Sequence, residues 1–219
     1  TAINVKEMNK LFYNNTGIVA HDIFPAHLRK SNSKNEEEYS LELAKNLLEK
    51  AGYKDGKKLK PLILDTRSDT IFYRQQAEFI KMQLAKIGIV LEININSFAQ
   101  FMDKARKGRM VFWQDGWLMD YPNEENILSL LYGPHHYPGP NKSGYNVLEF
   151  NQAYEKLIKS SDKVEQENLL NKMNQQVVAD RPWIMLFYAA HVILAQPEIE
   201  SLNYSEMDNN FIKDIVYGK

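Results

Sequence analysis

The residues best suited to binding chemistry lie in one short segment, QDGWLMDYP, at residues 114–122. Asp120 supplies a carboxylate, and Trp117 places a large indole three residues before it. A carboxylate in a partly apolar pocket favours a neighbouring positive charge, so the segment could bind the cationic end of a ligand. The same residues would also fit a core strand followed by an ordinary turn, in which the Asp120 side chain bonds to nearby backbone.

The flanking sequence predicts what positions this segment. Residues 110–113 are a short apolar run that suits a buried strand. Pro122 has a fixed φ and no amide hydrogen, so it is suited to open a helix over residues 124–131. The pattern therefore predicts that the Trp117 indole and the Asp120 carboxylate lie at the mouth of a turn between a strand and a helix.

The sequence before this segment predicts alternating helices and strands. Helical spacing of apolar residues predicts helices over residues 5–13, 40–51, 70–86 and 98–107. The third of these helices would bury one side, formed by Phe72, Ala77, Ile80, Leu84 and Ile87. Strands are predicted at residues 61–66 and 89–95. Together with the strand at residues 110–113 the order is β-α-β-α-β, and such crossovers favour an α/β sheet with helices packed on it.

The sequence after the segment predicts helices first and apolar strands later. Helices are predicted over residues 148–159 and 163–179. Residues 183–195, WIMLFYAAHVILA, form an unbroken apolar run that is too short to span a bilayer. Two buried strands or one bent strand are therefore expected there, and residues 198–219 show no clear periodicity.

Composition is that of an ordinary globular protein. The 219 residues carry a net charge of −1 with a pI near 6.5, which gives no electrostatic case for nucleic-acid binding. No apolar run approaches the roughly 18 residues that a membrane span needs. The absence of cysteine permits an oxidising compartment without requiring one. Because the chain begins with Thr1, we expect it to be cut from a larger protein, and any secretion signal would lie in the absent part.

Other clusters of charged or metal-binding residues have simpler explanations. His135 and His136 are adjacent, so their imidazoles point in different directions. The consecutive glutamates at residues 36–38 fan out rather than converge on a cation. The basic residues at positions 104–109 could bind an anion, but cations also suit the last turn of a helix. We predict no metal site and no cofactor.

Catalysis has one candidate in the sequence. Asp115 and Asp120 could reach the separation of a glycosidase carboxylate pair. The sequence has no cysteine nucleophile, no serine elbow motif and no glycine-rich phosphate loop. Since a catalytic function must be argued from a whole site, we predict that the protein is not an enzyme.

Three motifs resemble those of one protein family. Residues 116–126, GWLMDYPNEEN, resemble the G-W-x-x-D-Y-P-D-P-x-N signature of extracytoplasmic peptide-binding proteins, the substrate-binding subunits of oligopeptide and dipeptide ABC importers. Residues 139–146, GPNKSGYN, resemble the family's G-x-N-x-S-G-Y-x-N loop. Residues 44–53, AKNLLEKAGY, resemble its A-K-x-L-L-x-x-A-G-Y helix end. The motifs occur in the family's order and cover most of the chain.

This resemblance implies a fold and a division of the chain. The fold would be one lobe of a two-lobed periplasmic-binding-protein-like structure. Residues 1–180 would be the second, ligand-binding lobe, cut at its N-terminal edge. Residues 181–219 would be the returning segment that completes an otherwise absent first lobe. Without that lobe the apolar run at residues 183–195 would lack its sheet partners, and an unpaired strand edge invites self-association.

The resemblance also implies a function and a location. The protein would capture di- or oligopeptides outside the cytoplasmic membrane and deliver them to ABC permease subunits. It would be periplasmic, or lipid-anchored outside the cell in a Gram-positive organism. Relatives that bind oligosaccharides or metal complexes, and a non-transport receptor on the same scaffold, are the alternatives.

The predicted ligand site comprises Asp120, Trp117, Trp113, Tyr121 and Gln114. Asp120 would pair with the α-ammonium of a peptide, and the aromatic residues would form apolar walls. Some oligopeptide binders carry arginines just before the G-W pair that meet the peptide carboxylate. Gln114 and Asp115 occupy this approach here, and neither can do that. The carboxylate would then be bound by the absent lobe, or the ligand would have no carboxylate.

Overall fold

The structure is a computed structural model that describes residues 1–29, 39–190, 194, 196–202 and 215–217. It confirms a mixed α/β architecture. The helices are α1 Val5–Tyr13, α2 Leu41–Lys50, α3 Ile71–Ala85, α4 Phe98–Arg106, α5 Glu124–Leu128, α6 Leu148–Leu157 and α7 Lys163–Asp180. The strands are β1 Ile18–Val19, β2 Leu62–Asp65, β3 Leu91–Asn94, β4 Phe112–Trp113, β5 Phe187–Tyr188, β6 Ile199–Leu202 and β7 Ile215–Tyr217.

A three-stranded parallel sheet with the order β3-β2-β4 forms the centre of the first half. Leu64 of β2 pairs with Ile93 of β3 and with Phe112 of β4, so these three side chains lie on one face of the sheet. Helix α3 connects β2 to β3, and α4 connects β3 to β4, as the sequence predicts. The buried core of this half is formed by Met8, Ala44, Leu64, Ala77, Phe79, Ile80, Leu84, Ile87 and Leu91.

A second core lies between the later helices. Its residues come from the segment after β1, from α5 and the turn after it, and from α6 and α7. They are Ile23, Phe24, Ile127, Leu128, Leu131, Phe150, Ala153, Tyr154, Leu157, Leu170, Met173 and Val177. The 116–126 segment therefore leads from the sheet of the first half into a helix that belongs to the second core.

Helix starts follow the capping residues that the sequence offers. The Ser40 side chain accepts from the Leu43 amide, and Ser97 forms a complete capping box with Gln100. Helices α2 and α4 consequently begin where predicted. Gly88 ends α3 with a φ of 83°, and its backbone packs so closely on that of Gly56 that a Cβ at Gly56 would lie 1.9 Å from the Gly88 oxygen.

Two predictions around the ligand segment need correction. The strand predicted at residues 110–113 consists only of Phe112–Trp113, and Val111 is 87% exposed, because β4 is an edge strand without a helix over that position. Pro122 does not open the following helix. Asn123 caps it instead, through a 2.9 Å bond from the Glu125 amide, and the helix shortens to α5 before a 3₁₀ turn at Ser129–Leu131.

The predicted buried side of α3 also needs one correction. Ala77, Ile80, Leu84 and Ile87 are buried as predicted, but Phe72 is 37% exposed because it lies in the first turn, beyond the edge of the core. Phe72 packs edge-on against Tyr13 and Phe12 of α1.

The prediction for residues 183–195 is wrong in extent. Within the described part of this run, residues 183–190 and 194, only Phe187–Tyr188 form a strand, and both side chains are partly buried rather than buried. This strand, β5, pairs antiparallel with β1 at Ile18–Val19, so it does not lack a partner. Residues 198–219, which show no periodicity, contain an antiparallel pair of strands, β6 and β7. The three glutamates at residues 36–38 lie outside the described residues.

Candidate functional site

Asn126 organises the turn that carries Trp117 and Asp120. This side chain is 4% exposed, and its Oδ1 accepts a 2.8 Å hydrogen bond from the Trp117 indole Nε1 and a 3.4 Å bond from the Asp120 amide. Its Nδ2 donates over 3.4 Å to Asp120 Oδ2. One buried amide at the base of α5 thus fixes both the indole and the carboxylate.

The two predicted site residues are held in place and yet remain accessible. Trp117 is 44% exposed, and Leu118 beside it is 77% exposed. Asp120 is exposed, and among the described residues no cation lies within ion-pair distance of its carboxylate. The turn is not the Asx type considered for Asp120, because the side chain that bonds back to the backbone is that of Asn123. The arrangement leaves a positioned, unneutralised negative charge beside an open indole.

Tyr121 turns away from this charge and bonds to α5. Its hydroxyl donates to Glu125, which also accepts from the Tyr154 hydroxyl. The bond to Glu125 raises the pKa of Tyr121, and burial followed by the same carboxylate raises the pKa of Tyr154. A cleft of about 370 Å³ lies beside these groups; its lining residues are Tyr121, Asn123, Glu124, Glu125, Leu157, Ile158, Gln166 and Leu170.

Asp115 is neutralised, in contrast to Asp120. Its Oδ2 accepts a 2.7 Å hydrogen bond from Lys142 Nζ, and its Oδ1 lies 3.5 Å from Arg67 Nε. The Gly116 amide donates to the same Oδ1 over 2.9 Å. Lys142 belongs to the GPNKSGYN segment, so this ion pair joins that motif to the residue just before the GWLMDYPNEEN motif. The pairing makes Asp115 a structural residue and leaves Asp120 as the free carboxylate.

Arg67 places a guanidinium next to the turn. It lies just after the end of β2, and its guanidinium carbon lies 5.5 Å from the centroid of the Phe98 ring. Its Nη atoms make no hydrogen bond to the described residues, and its side chain is 35% exposed. Apart from the adjacent Asp115 and Trp117, the only atom of the described residues within 4 Å of a Cβ placed on Gly116 is Arg67 Nη1, at 3.8 Å. The glycine therefore leaves open space in front of the guanidinium.

Both charges belong to segments that follow the carboxyl ends of two paired strands. Arg67 follows β2, and Gly116 to Asp120 follow β4, which is parallel to β2 with Asp65 and Trp113 as partners. In open α/β sheets, ligands bind outside the carboxyl ends of the strands. Trp113, at the end of β4, is half-buried there. This edge is the candidate binding site.

A buried network anchors the strand ends beneath the site. Asp65 Oδ1 accepts from Lys104 Nζ at 2.7 Å, Asn94 Nδ2 at 2.8 Å and Asn96 Nδ2 at 3.0 Å. Asp65 is 4% exposed. The network ties β2, β3 and α4 together. It uses Lys104, one of the basic residues that the sequence analysis assigned either to an anion site or to the last turn of a helix.

Gln114 directs its amide nitrogen inward. Its Nε2 donates to Oε1 of Gln76, a residue of α3 that is completely buried. The structure thus brings Trp117 and Asp120 together at the turn, places Gln114 and Trp113 just before it, and directs the Tyr121 hydroxyl toward the neighbouring cleft.

Sequence reasoning missed two residues of this site. Asn126 is the last residue of the GWLMDYPNEEN motif, so its place in the motif was the available signal, although its bonding role was not. Arg67 directly follows the predicted strand at residues 61–66, and the position just past the end of a parallel strand was its signal.

The described part of the chain shows no cluster of three or more His, Asp or Glu residues that could hold a metal ion. The His135 ring packs edge-on against Tyr132, and its Nδ1 lies 3.2 Å from the Ser129 carbonyl. Within the described ranges, none of the helices has the length and hydropathy to cross a membrane.

A family model supports the resemblance that the motifs indicate. The model described as "Bacterial extracellular solute-binding proteins, family 5 Middle" matches residues 1–139. That range contains the three-stranded sheet and the Trp117–Asp120 turn.

Curated relatives match over most or all of the chain. Heme-binding protein A of Haemophilus influenzae is 25% identical over 222 residues, which covers 99% of this chain and 39% of that protein. The dipeptide-binding protein of Pseudomonas aeruginosa is 26% identical over 179 residues, covering 80% of this chain and 32% of that protein. The chain therefore spans less than two fifths of the length of these relatives.

Solved structures show the same fold. The periplasmic binding protein DppA of Helicobacter pylori, in complex with the peptide STSA, superimposes with a TM-score of 0.76 at 29% identity and covers 86% of this chain and 36% of that one. NikA of Brucella suis, in complex with Fe(III)-EDTA, gives a TM-score of 0.81 at 17% identity and covers 99% of this chain and 46% of that one. These likenesses confirm the predicted α/β lobe of the two-lobed periplasmic-binding-protein type.

Proposed function

The chain belongs to the bacterial extracellular solute-binding proteins of family 5, and from this membership we propose that it captures peptides outside the cytoplasmic membrane for an ABC importer. The observation that carries the proposal is the presence of two opposite, accessible charges in the segments that follow two paired parallel strands. Asp120 is a carboxylate without a cationic partner among the described residues, and Arg67 is a guanidinium with unbonded Nη atoms. A peptide with free termini carries the two complementary charges.

Asp120 is proposed to bind the α-ammonium. Asn126 holds the carboxylate on one side and also bonds the exposed Trp117 indole of the same turn. A carboxylate that is positioned in advance and partly desolvated pairs more strongly with an ammonium than a freely solvated one. Trp113 and Trp117 would supply apolar contact to ligand side chains. Tyr121 would contribute its ring, because its hydroxyl is already bonded to Glu125.

Arg67 is proposed to bind the peptide carboxylate, the role that the sequence left without a residue. Planar guanidinium groups bind carboxylates through paired N–H donors, and the two Nη groups of Arg67 are available for this. Gly116 leaves the approach open. Asp115 lies on the Nε side and is already neutralised by Lys142, so Arg67, Lys142 and Asp115 together carry one net positive charge.

Relatives that bind other ligands define the alternatives. The Haemophilus relative is named for heme binding, and the NikA structure holds an iron chelate. A structural relative from Thermotoga maritima is described as binding mannohexaose. Stacking of a sugar on Trp117 would use the indole but would leave the Asp120 charge unused, whereas a peptide uses both.

Mass spectrometry of the ligand released from the complete gene product tests this proposal. The protein is purified without a refolding step and is then denatured to release its ligand, and the released small molecules are identified. We expect di- or oligopeptides with free amino termini. Recovery of a saccharide, a tetrapyrrole or a metal chelate as the bound species, with no peptide, would overturn the proposal.

The role of Arg67 is tested separately by titrating tri-alanine and its C-terminal amide. The amide should bind wild-type protein at least tenfold more weakly, because hydrogen bonds to a charged group contribute about 1.5–3 kcal/mol. Arg67→Gln should remove this difference. Arg106→Gln, at the end of α4, is the matched control and should leave it unchanged. Equal affinity of wild-type protein for both peptides would contradict this role.

A further inference from the structure

A partly buried chain of hydrogen bonds leads from α1 to the approach of the binding site. The Tyr13 hydroxyl accepts a 2.7 Å bond from Gln76 Nε2, and Gln76 Oε1 accepts from Gln114 Nε2. Gln76 is completely buried and has both of its amide atoms bonded. Gln114 lies two residues before Gly116, on the segment that leads from β4 into the Trp117–Asp120 turn.

Packing holds the Tyr13 end of this chain in place. The Tyr13 ring lies 4.3 Å from the Phe187 ring of β5 and 5.5 Å, edge-on, from Phe72 of α3, measured between centroids. Neither neighbour offers a polar atom from its ring. In this apolar setting the Gln76 amide is the side-chain partner of the hydroxyl, so the position of Gln76 is fixed by α1 and β5 together.

The direction of these bonds determines what Gln114 presents. Gln76 directs its Nε2 toward Tyr13 and its carbonyl oxygen toward Gln114, so Gln114 supplies the donor of their shared bond. The Gln114 carbonyl oxygen is therefore directed away from Gln76. It accepts no hydrogen bond from the described residues and, unlike the sealed Asn174 Oδ1, it is not closed off from solvent.

We propose that Gln114 determines specificity in this site by presenting its carbonyl oxygen to an N–H of the ligand backbone, and that Gln76 and Tyr13 are the positioning residues that hold it in this orientation. The inference rests on the proposed peptide-binding function and adds a residue-level selection to it. A fixed acceptor at this place favours a peptide group, which supplies a donor, and disfavours a carboxylate, which supplies only acceptors. Asp120 and Arg67 would then bind the charged ends of the ligand, and Gln114 would bind a backbone N–H between them.

The consequence is a specific discrimination between an amide and an ester. An ester in place of a peptide bond keeps the size and the carbonyl but removes the N–H. If Gln114 accepts from one backbone N–H, replacing that group should weaken binding about two- to tenfold. This is the range that a net hydrogen bond of about 0.5–1.5 kcal/mol gives at 1.4 kcal/mol per decade.

Titration calorimetry with tri-alanine and its two single-ester analogues tests the proposal in the complete gene product. Wild-type protein should discriminate against one of the two esters by about two- to tenfold. Gln114→Met, which has similar length and no acceptor of this kind, should bind tri-alanine more weakly by the same factor and lose the discrimination at that position. An amide-to-ester ratio that is the same in wild type and Gln114→Met would overturn the inference.

The positioning residues need a readout that a purely structural role would not change. Tyr13→Phe removes only the hydroxyl, so Gln76 Nε2 loses its acceptor and the Gln76 amide can turn over and donate to Gln114. Gln114 would then direct its NH₂ group outward, and the amide-to-ester ratio should fall toward one, although Tyr13 does not touch the ligand. Tyr53→Phe, in the loop after α2, is the matched control and should keep the wild-type ratio.

The outcomes separate this inference from the function on which it rests. If wild-type protein binds none of the three compounds, the peptide proposal fails as well. If it binds tri-alanine and Tyr13→Phe retains the wild-type ratio, the positioning role is wrong and the peptide proposal stands. Gln76→Met is the second variant for the same role, with a thermal unfolding scan to verify that the fold is retained.

Discussion

Asp65 ends strand β2, Asp120 lies in the turn after its partner strand β4, and the surroundings of the two aspartates differ completely. Asp65 is buried, and one of its oxygens accepts from Lys104, Asn94 and Asn96. Asp120 is exposed, and its carboxylate receives a single 3.4 Å bond from Asn126. The first carboxylate is neutralised by a lysine and accepts three hydrogen bonds, whereas the second accepts one long hydrogen bond and faces no cation among the described residues. The comparison teaches that a binding residue is recognised by what the fold leaves unsatisfied.

The largest expected effect comes from breaking the hydrogen-bond network around Asp65. Asp65→Asn removes the charge that compensates Lys104, and breaking a buried ion pair typically costs about 3–5 kcal/mol. We expect the free energy of unfolding to fall toward the lower end of that range, because Lys104 is 28% exposed. Urea denaturation of the complete gene product measures this. A loss below about 1 kcal/mol would show that Asp65 is not the structural counterpart of Asp120.

Asp120→Asn should show the opposite pattern. An exposed substitution of this kind usually changes stability by no more than about 0.5 kcal/mol, so the unfolding midpoint should stay close to that of the wild type. Affinity for tri-alanine should instead fall at least about a hundredfold, because the ammonium would stay buried without its counter-charge. Calorimetric titration gives the affinity. Asp115→Asn is the matched control, and a drop in affinity of equal size there would remove the distinction between the two carboxylates.

Asn126→Ala tests the support beneath the free carboxylate. This substitution removes the acceptor for Trp117 Nε1 and the donor to Asp120. We expect about tenfold weaker binding of tri-alanine together with about 1–3 kcal/mol lower stability, because a buried polar network loses its central member. Asn123→Ala, which removes only the cap of α5, should reduce stability without a comparable effect on affinity. If both variants bind tri-alanine equally well, Asn126 does not position the site.

The smallest expected effect concerns Asp22, whose oxygens, like those of Asp65, accept hydrogen bonds from the protein. Asp22 is buried, and its backbone and side-chain oxygens both lie within hydrogen-bond distance of the Tyr188 hydroxyl. Burial, followed by the Asp22 charge, raises the pKa of Tyr188 far above its ordinary value of 10.0.

This shift makes stability depend on alkaline pH. Unfolded Tyr188 would lose its proton near pH 10 while the folded protein retains it, so the stabilising contribution is complete below about pH 10 and declines as the pH rises. Tyr188→Phe should flatten this decline by up to about 1.4 kcal/mol per pH unit, measured by urea denaturation between about pH 8 and 11. Tyr145 and Tyr154, whose pKa values burial also raises, would supply the slope that remains. An unchanged slope in the variant would contradict this assignment.

The sequence predicted the regular elements around the site well, for local physical reasons. The positions of α2 and α4 follow from the capping serines Ser40 and Ser97, and the order of strands and helices follows from apolar periodicity. Pro122 misled the prediction because an asparagine beside it caps α5 more effectively. The extent of the strand in the apolar run at residues 183–195 was not predictable because a continuous hydrophobic sequence does not reveal how much of it pairs; among its described residues, Phe187–Tyr188 are the ones with a partner strand.

The site itself was predictable only where its residues share one motif. Trp117 and Asp120 lie close together in the sequence, so their proximity needed no tertiary information. Arg67 is distant in sequence, and its place beside Gly116 results from the pairing of β2 with β4. Gln76 and Tyr13 depend on the packing of α3 against α1, which no local pattern encodes. The ion pairing of Asp115 was likewise not predictable, because Lys142 and Arg67 are distant in sequence and meet Asp115 only in the folded chain.

The most direct test of the central claim is the coupling between Asp120 and the amino terminus of a peptide. Tri-alanine and N-acetyl-tri-alanine are titrated into wild-type protein and Asp120→Asn, all as the complete gene product. We predict that acetylation weakens wild-type binding about a hundredfold and has little further effect on the variant, because both changes remove the same ion pair. Additive losses, or equally tight binding of both peptides by Asp120→Asn and wild type, would show that Asp120 does not bind the ligand's ammonium.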